Sequence, residues 1–176
     1  GRAEGADAGW GGLIAVNPPG ASFKHCWAKG EVSGPSGAGD PNGGRGGLIG
    51  TDCGTTENSL AYGNIKAGTG FAGGLAGENR GTIRDSYAYG NAEGEIAGGL
   101  VGANNYQPPT QGERSPVISG SGAYGNAHSI GTFVGDTHPP AAGGLARMNS
   151  GNISDSFARG AATGGVQDAG LVGNNT

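Results

Sequence analysis

A Gly-Gly-Leu triplet returns at Gly11, Gly46, Gly73, Gly98 and Gly143, and an Ala-Gly-Leu triplet at Ala169. This recurrence constrains the fold more than any other feature, because self-similarity with a period of about 20–50 residues marks a stacked repeat architecture. The regular units, residues 46–72, 73–97 and 143–168, are 25 to 27 residues long. Residues 11–45 carry extra Pro and Gly. Residues 98–142 carry two insertions, near 104–117 and 130–142, stiffened by Pro108-Pro109 and Pro139-Pro140.

Aligned on the triplet, the units form columns. Leu13, Leu48, Leu75, Leu100, Leu145 and Leu171 fill one without exception. The next position holds Ile14, Ile49, Ala76, Val101, Ala146 and Val172. Further on stand Cys26, Ser59, Ser86, Ser121 and Ser156, then Trp27, Leu60, Tyr87, Gly122 and Phe157. An alanine column follows, then Lys29, Tyr62, Tyr89, Tyr124 and Arg159.

No unit holds enough apolar residues to fold alone. Stacked in register about 4.8 Å apart, each coil pairs its backbone groups with the coils above and below, and one core runs along the stack. Glycine, 42 of 176 residues, supplies the corners and argues against helices, where it costs about 1 kcal/mol per interior position relative to alanine. The expected fold is all-β, a parallel β-solenoid (β-helix) of about five coils, roughly 25 residues per regular coil and roughly 25 Å tall. Residues 11–176 form the solenoid and residues 1–10 a glycine-rich N-terminal arm. The chain starts without an initiator Met or signal-peptide pattern, as expected of a processed chain or an excised piece.

The pattern GGLAGENRGTIRDSYAYGN at 73–91, repeated as GGLARMNSGNISDSFARG at 143–160 and more loosely at 46–64, resembles the GLUG motif. That motif occurs in repeat regions of bacterial cell-surface proteins, including filamentous-haemagglutinin-like adhesins and the non-catalytic part of some immunoglobulin A peptidases. The resemblance covers most of the chain, is interrupted at 98–126 and survives only at the ends of 11–34. It implies an extracellular or cell-surface repeat protein and brings no catalytic residues.

Side chains alternate across a strand. The six leucines are expected inside, as the core ladder. Their neighbours Ile14, Ile49, Val101 and Val172 then form an outward apolar strip, a candidate interface with Trp10, unless a corner falls between the two columns. The aromatic columns pose the same choice. An aromatic ladder is core by default, yet Lys29 and Arg159 place one column in water. On the exposed reading, Tyr62, Tyr87, Tyr89, Tyr106 and Tyr124 are candidate binding residues, suited to stacking on sugar rings or another subunit.

Catalytic chemistry finds little support. Asp85 and Asp155 share a column with Asn58 and His25, whose expected role is turn chemistry. Glycoside hydrolysis needs two carboxyl groups about 5–9 Å apart, and no second carboxylate stands in the neighbouring coil. His25, His128 and His138 lack metal-ligand spacing, and Asp40-Pro-Asn-Gly-Gly reads as a turn. Neither a metal nor a cofactor is expected. Basic residues are few and scattered, against a nucleic-acid partner, and no apolar run approaches the roughly 20 residues of a membrane helix. Cys26 and Cys53 lie in adjacent coils but different columns, so a disulfide requires a corner that brings them together.

The expected function is structural: an extracellular subunit that self-associates by head-to-tail stacking into a surface fibre or filament. Ala169–Thr176 reads as a first strand with no second, to which the glycine-rich arm of another copy would add. The alternative is an adhesin-type module that binds glycan or a host or surface protein through the fourth-coil loops and the aromatic stripe. An enzyme is not expected.

Overall fold

The computed structural model describes residues 2–3, 10–34, 43–68, 70–105, 115–131 and 140–176. These residues form a parallel β-solenoid. Each coil contributes short strands to five stacked sheets, every pairing is parallel, and none of the described residues is helical.

In chain order the first sheet contains Gly44–Gly46, Phe71–Gly73, Ile96–Gly98 and Ala141–Gly143, with Trp10–Gly11 at one edge. The second runs from Ile14–Asn17 through Ile49–Asp52, Ala76–Asn79, Val101–Asn104 and Ala146–Asn149 to Val172–Asn175. The third stacks Ser22–Lys24, Thr55–Glu57, Thr82–Arg84, Val117–Ser119 and Asn152–Ser154. The fourth stacks Trp27–Ala28, Leu60–Ala61, Tyr87–Ala88, Gly122–Ala123 and Phe157–Ala158. The fifth stacks Glu31–Ser33, Ile65–Lys66, Ala92–Gly94, Ala127–Ser129 and Ala162–Thr163, with Arg2–Ala3 beside Glu31–Val32. The arm therefore adds a strand to its own solenoid, where the sequence suggested donation to another copy.

The Gly-Leu dipeptide is a corner between the first and second sheets. The N–H groups of both Leu48 and Ile49 donate to the Leu75 carbonyl, at 2.9 and 3.0 Å, and the pattern recurs one coil on at Leu75 and Ala76. Two successive donors on one acceptor break the strand alternation, so consecutive side chains enter the same core. Leu48, Leu75, Leu100 and Leu145 are fully buried beside Ile49, Ala76, Val101 and Ala146, with Ile83, Ile118 and the alanines of the fourth sheet. The first sheet packs so close to the second that a Cβ on Gly73 would lie 1.8 Å from the Ala76 carbonyl oxygen. Only glycine fits there.

Two expectations are corrected. Leu13 and Leu171 are 48% and 43% exposed, because each has a coil of this chain on one side only. The outward apolar strip does not form. Ile49 and Val101 are fully buried, Ile14 and Val172 half-buried, and Trp10 packs with Val32, Ile65 and Ala92 beneath the Arg45 guanidinium, 5.2 Å from the ring centroid. The corner is the physical reason.

Candidate functional site

The bend between the third and fourth sheets is a left-handed residue in every coil: φ is 55° at His25, 50° at Asn58, 47° at Asp85, 58° at Gly120 and 49° at Asp155. Asn and Asp tolerate this conformation better than most residues, which accounts for the Asn/Asp column. Asp85 and Asp155 are exposed, with Gly120 in the coil between them.

After this bend comes a continuous hydroxyl ladder. Backbone N–H groups of Ser59, Ser86 and Ser121 donate to Oγ of Ser86, Ser121 and Ser156 at 3.1–3.3 Å. Each Oγ in turn donates to the carbonyl two residues back, as from Ser86 to Arg84 at 2.7 Å. Cys26 occupies the same position in the first coil: its N–H donates to Ser59 Oγ at 3.2 Å and its Sγ to the Lys24 carbonyl at 3.4 Å. Cys53 lies just past the second sheet, and the strand Thr55–Glu57 separates the two columns. Cys26 and Cys53 are not bridged, so the suggested disulfide is absent.

The aromatics lie outside. Tyr62, Tyr89 and Tyr124 are 44%, 42% and 37% exposed, and their rings stack coil on coil: 5.0 Å and 12° between Tyr62 and Tyr89, 4.7 Å and 2° between Tyr89 and Tyr124. Arg159 completes the column, its guanidinium 5.4 Å from the Tyr124 ring and 5.5 Å from Phe157. The Tyr89 phenol pKa is raised, first by burial within the stack and then by its tyrosine neighbours. Tyr87 stands in the adjoining outward column and meets Phe157 at 6.2 Å. Tyr106 lies outside the described residues. The arrangement limits the chemistry: each face of the Tyr89 ring is taken by a neighbouring ring. Edges and hydroxyl groups remain for a ligand, so stacking of sugars on Tyr89 is not available.

A further ladder was missed in the sequence, although it lies four residues after each leucine: Asn17, Asp52, Asn79, Asn104, Asn149 and Asn175. Asn79 Nδ2 donates to Asn104 Oδ1 at 2.7 Å, Asn104 to Asn149 at 2.7 Å and Asn149 to Asn175 at 2.6 Å. The Oδ1 atoms also accept the N–H two residues on, from Gly81 at 3.0 Å and Gly151 at 3.3 Å. Buried amide ladders of this kind satisfy both backbone and side chain and reinforce cross-β stacks. At Asn17 the residue two on is Pro19, which has no N–H, and Asn17 Oδ1 is buried without a partner.

Among the described residues no three His, Cys, Asp or Glu side chains gather into a cation site. His128 meets Thr163 at 3.1 Å, and His138 and the Asp40 turn lie outside the described residues. Only the flanks of the two fourth-coil insertions are described. A scan against protein-family models, a search of curated proteins and a search of solved structures each find no match to this chain.

Proposed function

We propose that the protein is a structural solenoid subunit that lengthens by head-to-tail stacking on a second copy, in an extracellular or cell-surface fibre. The observation that carries this reading is the polarity of the corner. N–H groups of Leu13, Leu48, Leu75, Leu100 and Leu145 each donate to the leucine carbonyl of the following coil. The first coil thus offers the Leu13 carbonyl and the last the N–H groups of Leu171 and Val172, the two halves of a contact already made five times within the chain. The end coils also carry exposed apolar side chains, Leu13, Val16 and Trp27 at one end and Val166 and Leu171 at the other, with the tyrosine stack and Ile130 between them. A contact between unlike surfaces does not close and grows a filament. The extracellular setting rests on the resemblance at 73–91 and 143–160.

Light scattering across a concentration series tests this, with growth to polymers expected as concentration rises. A monomer at every concentration would assign the end faces to flanking coils of the same polypeptide and remove the proposal.

The aromatic face favours a second reading, recognition of a glycan or protein surface by the edges and hydroxyls of Tyr62, Tyr89 and Tyr124. A glycan array read with the wild-type chain and with Tyr89→Ser tests it. Equal signals from both would reject it.

A further inference from the structure

The amide ladder has one acidic member. Each asparagine donates from Nδ2 toward the following coil, but Asp52 has no N–H to give. The ladder therefore parts into Asn17→Asp52 and Asn79→Asn104→Asn149→Asn175. The Asp52 carboxylate is fully buried. Its Oδ1 accepts Asn17 Nδ2 at 2.8 Å and the Gly54 N–H at 3.1 Å, and its Oδ2 accepts Thr56 Oγ1 at 2.6 Å. All of these donors belong to the first two coils. Across the step to the third coil the backbone pairs normally, while the side-chain ladder is silent.

The charged groups around this step are paired elsewhere. The first-coil strand Ile14–Asn17 carries none. On the third-coil strand Ala76–Asn79, Glu78 meets Arg80 Nε at 2.8 Å, and Arg80 gives Asp52 only its backbone N–H, at 2.7 Å to the carbonyl oxygen. On the third sheet, Glu57 meets Lys24 at 2.8 Å and lies 3.9 Å from Arg84. Cys53, next in the chain, forms no disulfide. Among the described residues no cation reaches the Asp52 carboxylate.

We propose that Asp52 makes the junction between the second and third coils an acid-tightened seam: protonation docks the first two coils firmly, and ionisation makes them the part of the rod that opens first. Burial holds the Asp52 pKa above its ordinary value, against the opposing hydrogen bonds from Thr56, Asn17 and Gly54. When the seam opens, the carboxyl regains water while the donors of the first two coils stay with it, so its pKa falls to the ordinary value or below. The closed form is therefore favoured below the ordinary value, and the advantage is lost as pH rises through the raised one. Glu57 has the opposite sign. Its pKa is lowered, first by the Lys24 hydrogen bond, so its contacts weaken in acid, and a gain on acidification belongs to Asp52.

Amide hydrogen exchange reads the seam directly. Leu48 and Ile49 donate across it to Leu75, whereas Leu100 and Val101 make the same bonds to Leu145 two steps on. From about pH 7 to about pH 4, with intrinsic exchange corrected, protection at Leu48 and Ile49 is expected to rise by up to about tenfold per pH unit, the limit for one proton. Leu100 and Val101 are expected not to share the rise, and in Asp52→Asn protection is expected to be high throughout. A flat profile at Leu48 and Ile49, or the same rise in Asp52→Asn, would overturn the proposal. Thr56→Val gives a second reading should Asp52→Asn fail to fold. Loss of that donor is expected to move the rise to higher pH, and an unmoved rise would overturn the proposal equally.

Discussion

The ring of Phe157 lies over Gly122, filling the space that a side chain takes in the other coils of the column. A Cβ on Gly122 would stand 2.5 Å from Phe157 Cζ. The missing side chain lets Phe157, in the fifth coil, reach Tyr87 in the third, 6.2 Å away, and meet Tyr124 edge-on at 5.3 Å. Rings from alternate coils are thus joined across the coil that has glycine in this column.

Gly122→Ala is expected to push the Phe157 ring off Tyr87. Loss of an aromatic pair costs about 0.5–1.5 kcal/mol, and the smaller unfolded-state entropy of alanine returns about 0.4–1 kcal/mol. Net stability in a denaturant titration is expected to change by less than about 1 kcal/mol, while the near-ultraviolet circular dichroism of the tyrosines changes clearly. An unchanged aromatic spectrum would mean that the ring does not depend on the gap.

The leucine column predicts a gradient along the rod. Leu100, fully buried, is expected to cost about 2–5 kcal/mol on replacement by alanine. Leu171, 43% exposed, is expected to cost well under half as much in the monomer. Equal losses would mean that the end coil is packed like the middle.

Asn104 accepts from Asn79 and donates to Asn149. Asn104→Ala takes one hydrogen bond from Asn79 Nδ2, which keeps the Val117 carbonyl at 3.3 Å, and one from Asn149 Oδ1, which keeps the Gly151 N–H at 3.3 Å, each lost bond costing about 0.5–1.5 kcal/mol. A loss of about 1–3 kcal/mol is expected in chemical denaturation. A loss below about 1 kcal/mol would show that backbone pairing alone carries the stack at this step.

Lys24 and Glu57 pair across the first two coils at the surface. The lowered Glu57 pKa means that this contribution is present above the ordinary carboxylate range and is lost as pH falls through the lowered value. Lys24→Ala is expected to remove a small, salt-sensitive increment at neutral pH and to change nothing in strong acid. A loss that persists in strong acid, checked by thermal denaturation, would assign it to packing of the lysine stem.

The repeat made the architecture legible, because parallel stacking turns columns in an alignment into ladders in space. Which face each column meets was not legible from alternation. Leu48 and Ile49 share a core since both donate to one carbonyl, a corner that a period of two cannot show. The aromatic columns were undecided in sequence, and the alanine beside them settles their direction: Ala61 and Ala88 fill a core too thin for rings. The amide column stands in the sequence at a fixed offset from each leucine, with Asp52 as its one acidic member. Cys26 stands in the serine column of the alignment, and its hydrogen bonds show that it also keeps the place of the hydroxyl in the ladder.

Head-to-tail polarity is tested most directly by mixing two blocked chains. Leu13→Asp blocks one end face and Leu171→Asp the other, each replacing a leucine that is nearly half exposed. Each variant alone is expected to remain monomeric in sedimentation velocity, and an equimolar mixture is expected to form a dimer and stop there, since the dimer joins the one open head to the one open tail and both of its outer faces are blocked. Polymer growth by either variant alone, or a mixture that stays monomeric while the wild-type chain assembles, would contradict end-to-end stacking through the leucine corner.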